Sequence, residues 1–389
     1  MAEIFWVFLK LGLTSFGGPI AHLGYFREEF VRRRQWLDDA GFAQLLAVCQ
    51  FLPGPASSQL GFAIGLFRGG WPGALMAFVG FTLPSALLMF GIALLAPHVD
   101  GGIGSAVVHG LKLVAVAVVA QGILGMARQL TPDVPRVLIA AVAAALILLT
   151  GNVWMQLVAI ALGGAAGLWM CRRVTPPPAA TFPVRYGTGV AMSFFVLFLV
   201  GLLASLALPT EQTVSTGGLA AAFYRTGALV FGGGHVVLPL LQHTVVEPGW
   251  VTSDAFLAGY GAAQAMPGPM FSLAAFLGAS ASLDTSPGLG ASIALIAVFL
   301  PGFLLLLAVL PVWTRLAARA WAIRVMAGIN AAVVGLLVAA FYDPVWTEGI
   351  RGFADVVIAA VAFVMLMAFR LSALWTVLWC VVASAALTL

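Results

Sequence analysis

The chain is 389 residues long, 62% apolar and only 8% charged, with a mean hydropathy of +1.07. Soluble domains carry roughly 25% charged residues, so polar groups cannot cover this surface and lipid is its expected solvent. The net charge of +4 does not point to nucleic acid, because most of the arginines flank apolar runs, where they set membrane topology.

In chain order, residues 4–30 and 38–68 are apolar but broken near the middle by Gly or Pro. They read as helical hairpins or broken helices that need not cross fully. Lys10 interrupts the first apolar run and no A-x-A-like site follows, so no signal peptide is expected. Four spans follow at 71–96, 106–127, 134–150 and 152–171. At 1.5 Å rise per residue, about 20 apolar residues cross a hydrocarbon core roughly 30 Å thick. The stretch 171–185 holds too much proline for a spanning helix and reads as a polar linker. One extra span, 187–208, comes next. Cys49, Cys171 and Cys380 lie far apart, with neither metal-ligand spacing nor a disulfide framework.

The second part of the chain repeats the first. Phe8, Gly12, Phe16 and Gly17 recur as Phe223, Gly227, Phe231 and Gly232, an offset of 215. Gln50, Pro53, Gly54, Pro55 and Ser58 recur as Gln264, Pro267, Gly268, Pro269 and Ser272, an offset of 214. Leu83-Pro84 echoes Leu300-Pro301. The predicted organisation is an N-terminal repeat over 1–171, a Pro-rich linker and connecting helix over 172–210, and a C-terminal repeat over 211–389. The predicted fold is an all-α polytopic membrane protein of two inverted-topology repeats with broken helices or helical hairpins. The inversion follows from charge: Arg32, Arg33, Arg34, Arg68, Arg128, Arg136, Arg172, Arg173 and Arg185 belong on the cytoplasmic side. The extra span then reverses the second half. That returns Arg315, Arg319, Arg324 and Arg370 to the cytoplasm and leaves Asp284, Asp343 and Glu348 outside, with Arg351 as the misfit.

Pro-Gly-Pro within an apolar run must break a helix. In lipid, broken backbone survives only where protein buries it or water reaches it. Matched interruptions in two halves are a pointer to a transporter's binding site. Pro55 and Pro269 suit the first position of a new helix, whose unpaired N–H groups and partial positive charge favour an anion. Gly54, Ser57 and Ser58 in one half, and Gly268 and Ser272 in the other, are therefore candidate anion ligands; the competing reading is a tight packed turn. Gly17, Gly18, Gly232 and Gly233 form either an anion-binding nest or a close helix contact through small residues. Lys10 and Arg225 occupy equivalent repeat positions, and a cation within an apolar segment points to function, or else to snorkelling. Gln50 and Gln264 precede each break by three residues and either donate to an oxyanion or bond between helices. His22 and His235 follow the glycine elements as titratable or structural groups. Lys112, matched by Asn330, reads as a helix-end lysine.

No spanning segment carries a clear buried Asp or Glu, which disfavours cation transport and a carboxylate proton relay. Asp38, Asp39, Asp254 and Asp284 read as caps or loop residues. No H-E-x-x-H, Walker or G-x-S-x-G motif occurs, so no enzyme, cofactor or metal centre is expected.

F-G-G-P near the N-terminus, Q-F-L-P-G-P-A-S-S-Q-L at 50–60, F-G-G-G-H at 231–235 and Q-A-M-P-G-P at 264–269 resemble the chromate ion transporter family in its long, two-domain form. The resemblance implies a multi-pass protein of the bacterial inner membrane that exports chromate and confers resistance to it. Sulfate, alike in charge and shape, is the competing ion. The implied partners are that anion and the lipid bilayer, with no nucleic acid, and with a homodimer left open. Some members of that family carry an acid after the first Pro-Gly-Pro. Here Ala56 stands there, so carboxylate coupling at that position is not expected. A lipid- or quinone-directed intramembrane enzyme would call for buried catalytic acids, a His pair or metal ligands, none of which is evident, and a membrane assembly protein has no need for matched cations and matched breaks.

Overall fold

The computed structural model describes the chain apart from residues 17, 97–101, 151–153, 175–181, 183, 209–213, 232–236, 282, 284–285, 370 and 389. The expectations for Gly17, Gly232, Gly233, His235, Asp284 and Arg370 therefore lie outside the described residues. Among those described, every regular element is helical. Five helices are long and apolar enough to cross a membrane.

The first half runs through α1 (Ala2–Thr14), α2 (Gly18–Arg27), α3 (Asp39–Phe51), α4 (Ala56–Leu95), α5 (Gly102–Leu130), α6 (Val134–Thr150) and α7 (Trp154–Met170). The connecting helix is α8 (Thr188–Ala207). The second half holds α9 (Thr216–Leu229), α10 (Val237–Val245), α11 (Ser253–Ala265), a 3₁₀ turn at Met270–Ser272, α12 (Leu273–Ser280), α13 (Pro287–Val309), α14 (Trp313–Ala317), α15 (Ala320–Ala340), α16 (Thr347–Gly349), α17 (Phe353–Met367) and α18 (Ala373–Thr388).

Helix α4 is in fact a hairpin. Gly69 and Gly70 leave helical geometry, Gly70 with φ +63°, and the chain doubles back. A methyl built on Gly65 would stand 2.5 Å from the Gly73 carbonyl oxygen, although eight residues of straight helix would span about 12 Å. The expected break between 38–68 and 71–96 is thus present as a turn between two antiparallel arms. In the second half α12 and α13 repeat it, with Gly278 and Gly290 in the same contact.

The two halves interlock. The α6–α7 pair of the first half packs along α15 of the second, and the α17–α18 pair packs along α5 of the first. Small residues permit these approaches: Gly163 and Gly328 meet backbone to backbone, and Gly110 lies against Cys380 and Val381. Within each half the entry helix crosses the long hairpin arm at equivalent points, Gly12 against Phe81 and Gly227 against Val298. Helix α8 keeps most of its surface exposed, as a lipid-facing connector does. It is held to α9 where the Tyr224 ring covers Gly201 and its hydroxyl donates to the Phe198 carbonyl at 3.1 Å.

Charged groups gather at one end of the first half. Glu29 accepts from Arg34 at 2.6 Å, Arg34 reaches on to Glu3 at 2.8 Å, and Arg27 pairs with Asp39. Arg34 and Arg68 both stand over the Trp36 ring. Asp38 caps α3, accepting from the Gly41 N–H, as its sequence position predicts.

Candidate anion site

Each Pro-Gly-Pro break is locked by the opposite half. Gly54 has φ +115° and its N–H donates to the Val230 carbonyl at 2.7 Å. Gly268 has φ +94° and its N–H donates to the Ser15 carbonyl at 3.0 Å. Ser15 and Val230 are themselves repeat equivalents, so the exchange is reciprocal. The Ser15 carbonyl also lies 3.2 Å from His22 Nε2, which places a proton on that nitrogen and leaves buried Nδ1 without a partner. Each break also rests against the Leu-Pro segment of the opposite half. Gly54 touches Gly302, and Gly268 touches Ser85; these residues directly follow Pro301 and Pro84. The expectation that the two glycine N–H groups face an anion is thereby corrected, since both are spent on the interface between halves.

What remains at the breaks is polar and unspent. Pro55 begins the first arm of α4 without a side-chain cap, and Pro269 begins the 3₁₀ turn likewise. The hydroxyls of Ser58 and Ser272 are buried and have no partner among the described residues, as have those of Ser15 and Thr82. Buried polar groups are ordinarily satisfied, and these four hydroxyls are among the buried side-chain atoms that are not.

A cavity of about 400 Å³ reaches the first break. At about 30 Å³ per water it is roomy enough for a small hydrated ion. Gln50, Gly54, Ala56 and Ser57 form its inner end, with Gln129, Arg136, Met326 and Asn330 among the other lining residues. Gln50 is exposed into it, whereas Ser57 is 5% exposed. Arg136 is tied to Asp133 through Nε and one terminal nitrogen, at 3.0 and 2.6 Å. This bond holds the Asp133 carboxyl below its ordinary range, against a smaller opposing effect of burial and with help from Arg173. Arg324, next to the lining residue Ile323, keeps a buried Nε without a partner. Arg136 is thus the arginine that lines the cavity, and Arg324 follows a lining residue in sequence.

Of the residues singled out by sequence, Gln50, Gly54 and Ser57 meet in this cavity, and Ser58 lies one position beyond. Gln264, Gly268 and Ser272 meet at the second break, where the Gln264 amide lies 3.0 Å from Met270 Sδ. Gly18 opens α2, and His22 is 1% exposed beside the second break's partner Ser15. Lys10 is exposed on α1, close enough to Glu29 to act on its charge, and Arg225 is half-buried on α9. Neither lines the cavity.

Sequence reading missed Gln59, fully buried, whose amide donates to the Pro53 and Gly302 carbonyls at 2.9 Å each. It missed Arg136 and Asn330 as cavity residues. Two other readings are corrected. Lys112 is not a helix-end residue: it is 2% exposed within α5 and ion-paired with Asp254. A buried acid does exist: Asp355, 7% exposed in the first turn of α17, accepts from His109 at 2.8 Å and from the N–H groups of Arg351 and Gly352. The sequence did not single it out, because its His109 partner lies 246 residues away.

The fold and site define an all-α polytopic membrane protein with paired helix interruptions, the first of which opens on a cavity, an arrangement used by secondary transporters. The model of the family described as "Chromate transporter" matches the chain twice, over residues 2–168 and 217–387. The chain is 33% identical over 303 residues to a probable chromate transport protein of Synechococcus elongatus, covering 77% of this chain and 72% of that one. It is 30% identical over 347 residues to a chromate transport protein of Pseudomonas aeruginosa, covering 88% and 80%. No solved structure matches the chain. The chain belongs to the chromate transporter family.

Proposed function

We propose that this protein exports chromate from the cytoplasm across a bacterial inner membrane, and so confers resistance to it. The observation that carries this reading is the cavity joining an arginine-rich end of the helices to the uncapped start of α4. Arg128, Arg136, Arg172, Arg173, Arg319 and Arg324 stand at that end by sequence position, and such an excess belongs in the cytoplasm. A cytoplasmic dianion would enter there past Arg136. It would meet the Gln50 amide, the Ser57 and Ser58 hydroxyls and the positive helix start.

The relatives named as chromate transport proteins support chromate as the ion. Sulfate shares its charge and tetrahedral geometry and is the competing substrate. Moving one charge across 100 mV is worth about 2.3 kcal/mol, so a dianion leaving a negative interior gains about twice that. The potential alone then sustains a gradient of roughly three decades. The inverted orientation of the two halves also belongs to this reading. It follows from the arginine distribution and the single connecting helix α8.

Uptake of labelled chromate by inside-out vesicles, with and without excess sulfate, tests the proposal. Potential-dependent accumulation supports it. Absence of transport refutes it, and equal inhibition by sulfate at matched concentration would move the assignment to a general tetrahedral-anion carrier.

A further inference from the structure

The repeat relates the cavity to a second place in the molecule that looks quite different. Cavity residues Ala327 and Asn330 on α15 correspond to His109 and Lys112 on α5, at an offset of 218. Arg136, the third residue of α6, corresponds to Asp355, the third residue of α17. Gln50 corresponds to Gln264. At the first break, α3 of the first half and α15 of the second stand apart with the cavity between them. Their equivalents, α11 and α5, lie in close contact, and a methyl on Gly261 would stand 2.1 Å from the Leu111 carbonyl oxygen. One position is open and lined by neutral side chains and an arginine. The other is shut and filled with charge.

The charges in the shut position are unusual for a membrane helix. Lys112 is 2% exposed and is held by Asp254, whose side chain is 61% exposed and reaches in from the surface. His109 is held by Asp355, and its buried Nδ1 has no partner. A buried cation without a counter-charge is strongly unfavourable. If α11 were to part from α5 as α3 has from α15, Asp254 would leave with α11 and Lys112 would need another anion.

Resting on the oxyanion-transport reading above, we propose that a second oxyanion vestibule, closed in this structure, lies between α5 of the first half and α11 of the second. Lys112, His109 and Gln264 bind the anion there, and Asp254 and Asp355 take its place while the vestibule is shut. A tetrahedral dianion supplies both the charge that Lys112 loses on opening and an acceptor for His109. Opening on this side is thereby favoured when an anion is present. The carboxylates act as internal competitors, which keeps the vestibule closed when none is.

Thiol accessibility tests this, in a chain whose three cysteines are changed to alanine. Gln50→Cys and Gln264→Cys report the two positions in sealed vesicles treated with a membrane-impermeant reagent; Met270→Cys serves as a second reporter should Gln264→Cys fold poorly. Gln50→Cys is expected to label from the cytoplasmic face. Gln264→Cys should label slowly from the opposite face, and severalfold faster with Asp254→Asn or Asp355→Asn. Chromate or sulfate should protect both reporters, and Lys112→Gln should weaken protection about tenfold or more at Gln264→Cys while leaving Gln50→Cys protected. Labelling of both reporters from one face, no acceleration by either acid variant, or undiminished protection with Lys112→Gln overturns the proposal. If neither anion protects Gln50→Cys, the substrate reading fails instead.

Discussion

Replacing Gly54 or Gly268 with alanine separates what the breaks do for folding from what they do for an anion. At φ +115° and +94° an L side chain is strained, at about 1–3 kcal/mol. The new methyl on Gly54 would lie 3.0 Å from both Gln59 Nε2 and Gly302 Cα; on Gly268 it would lie 2.9 Å from Ser85 Oγ and 3.1 Å from the Phe81 oxygen. Overpacking of this kind adds roughly 1–3 kcal/mol. Any shift that relieves it disturbs the N–H bond to Val230 or Ser15, worth about 0.5–1.5 kcal/mol. Each variant is therefore expected to lose about 3–5 kcal/mol, taking the lower part of each range together with partial relaxation. Thermal unfolding of the detergent-purified protein should show a clear loss in both. The companion changes Ser58→Ala and Ser272→Ala remove hydroxyls that have no partner in the fold, so melting should hardly move. Chromate affinity should fall roughly tenfold or more at whichever serine binds the ion, for a lost bond of about 1.5–3 kcal/mol to a charged acceptor. Wild-type melting of both glycine variants would refute the interlock. Unchanged affinity in both serine variants would remove the helix starts from the site.

Gln59→Leu gives up two buried carbonyl partners and should lower the unfolding temperature by the equivalent of about 1–3 kcal/mol; the repeat partner Leu273 shows that leucine fits this position in the other half. Arg136→Gln should impair transport more than Lys10→Gln, because Arg136 lines the cavity and Lys10 does not; the reverse order in a vesicle assay would return the anion to α1. Reporter tags placed near Arg33 and near Thr252 should label from opposite faces of the membrane, and labelling of both from the cytoplasm would refute the inverted arrangement. Burial alone would raise the Glu29 carboxyl, but the Arg34 hydrogen bond and the Arg34, Arg33 and Lys10 charges outweigh it and hold the group below its ordinary value. A depressed folded value means that the stabilisation is present at neutral pH and is lost as the pH falls through that value; Glu29→Gln should flatten the acid limb of a melting-temperature profile.

Sequence alone determined the solvent, the helical kind of the elements, and the repeat. Hydropathy is local, and the energetic rule that lipid accepts only satisfied backbone makes every apolar run a helix. Pro-Gly-Pro marks a break because its own backbone chemistry forbids a straight helix. The offset of about 215 residues is legible because both halves need the same glycines at the same crossings. Gln50, Gly54 and Ser57 could be nominated as neighbours because they lie within one short stretch.

Partnership across the halves was decided only by the tertiary structure. Nothing in the order of residues says that Gly54 bonds Val230, that Gly268 bonds Ser15, or that the last helical pair of each half packs on the other. Lys112 read as a helix-end lysine and Asp355 was not singled out, until folding buried them beside Asp254 and His109. A charge's meaning in a membrane depends on whether its partner arrives from another part of the chain, and that is a property of distance in space. The repeat makes the halves alike in sequence. Only packing opens the first break to a cavity and sets the ion pairs Lys112–Asp254 and His109–Asp355 where the repeat-equivalent helices α5 and α11 meet.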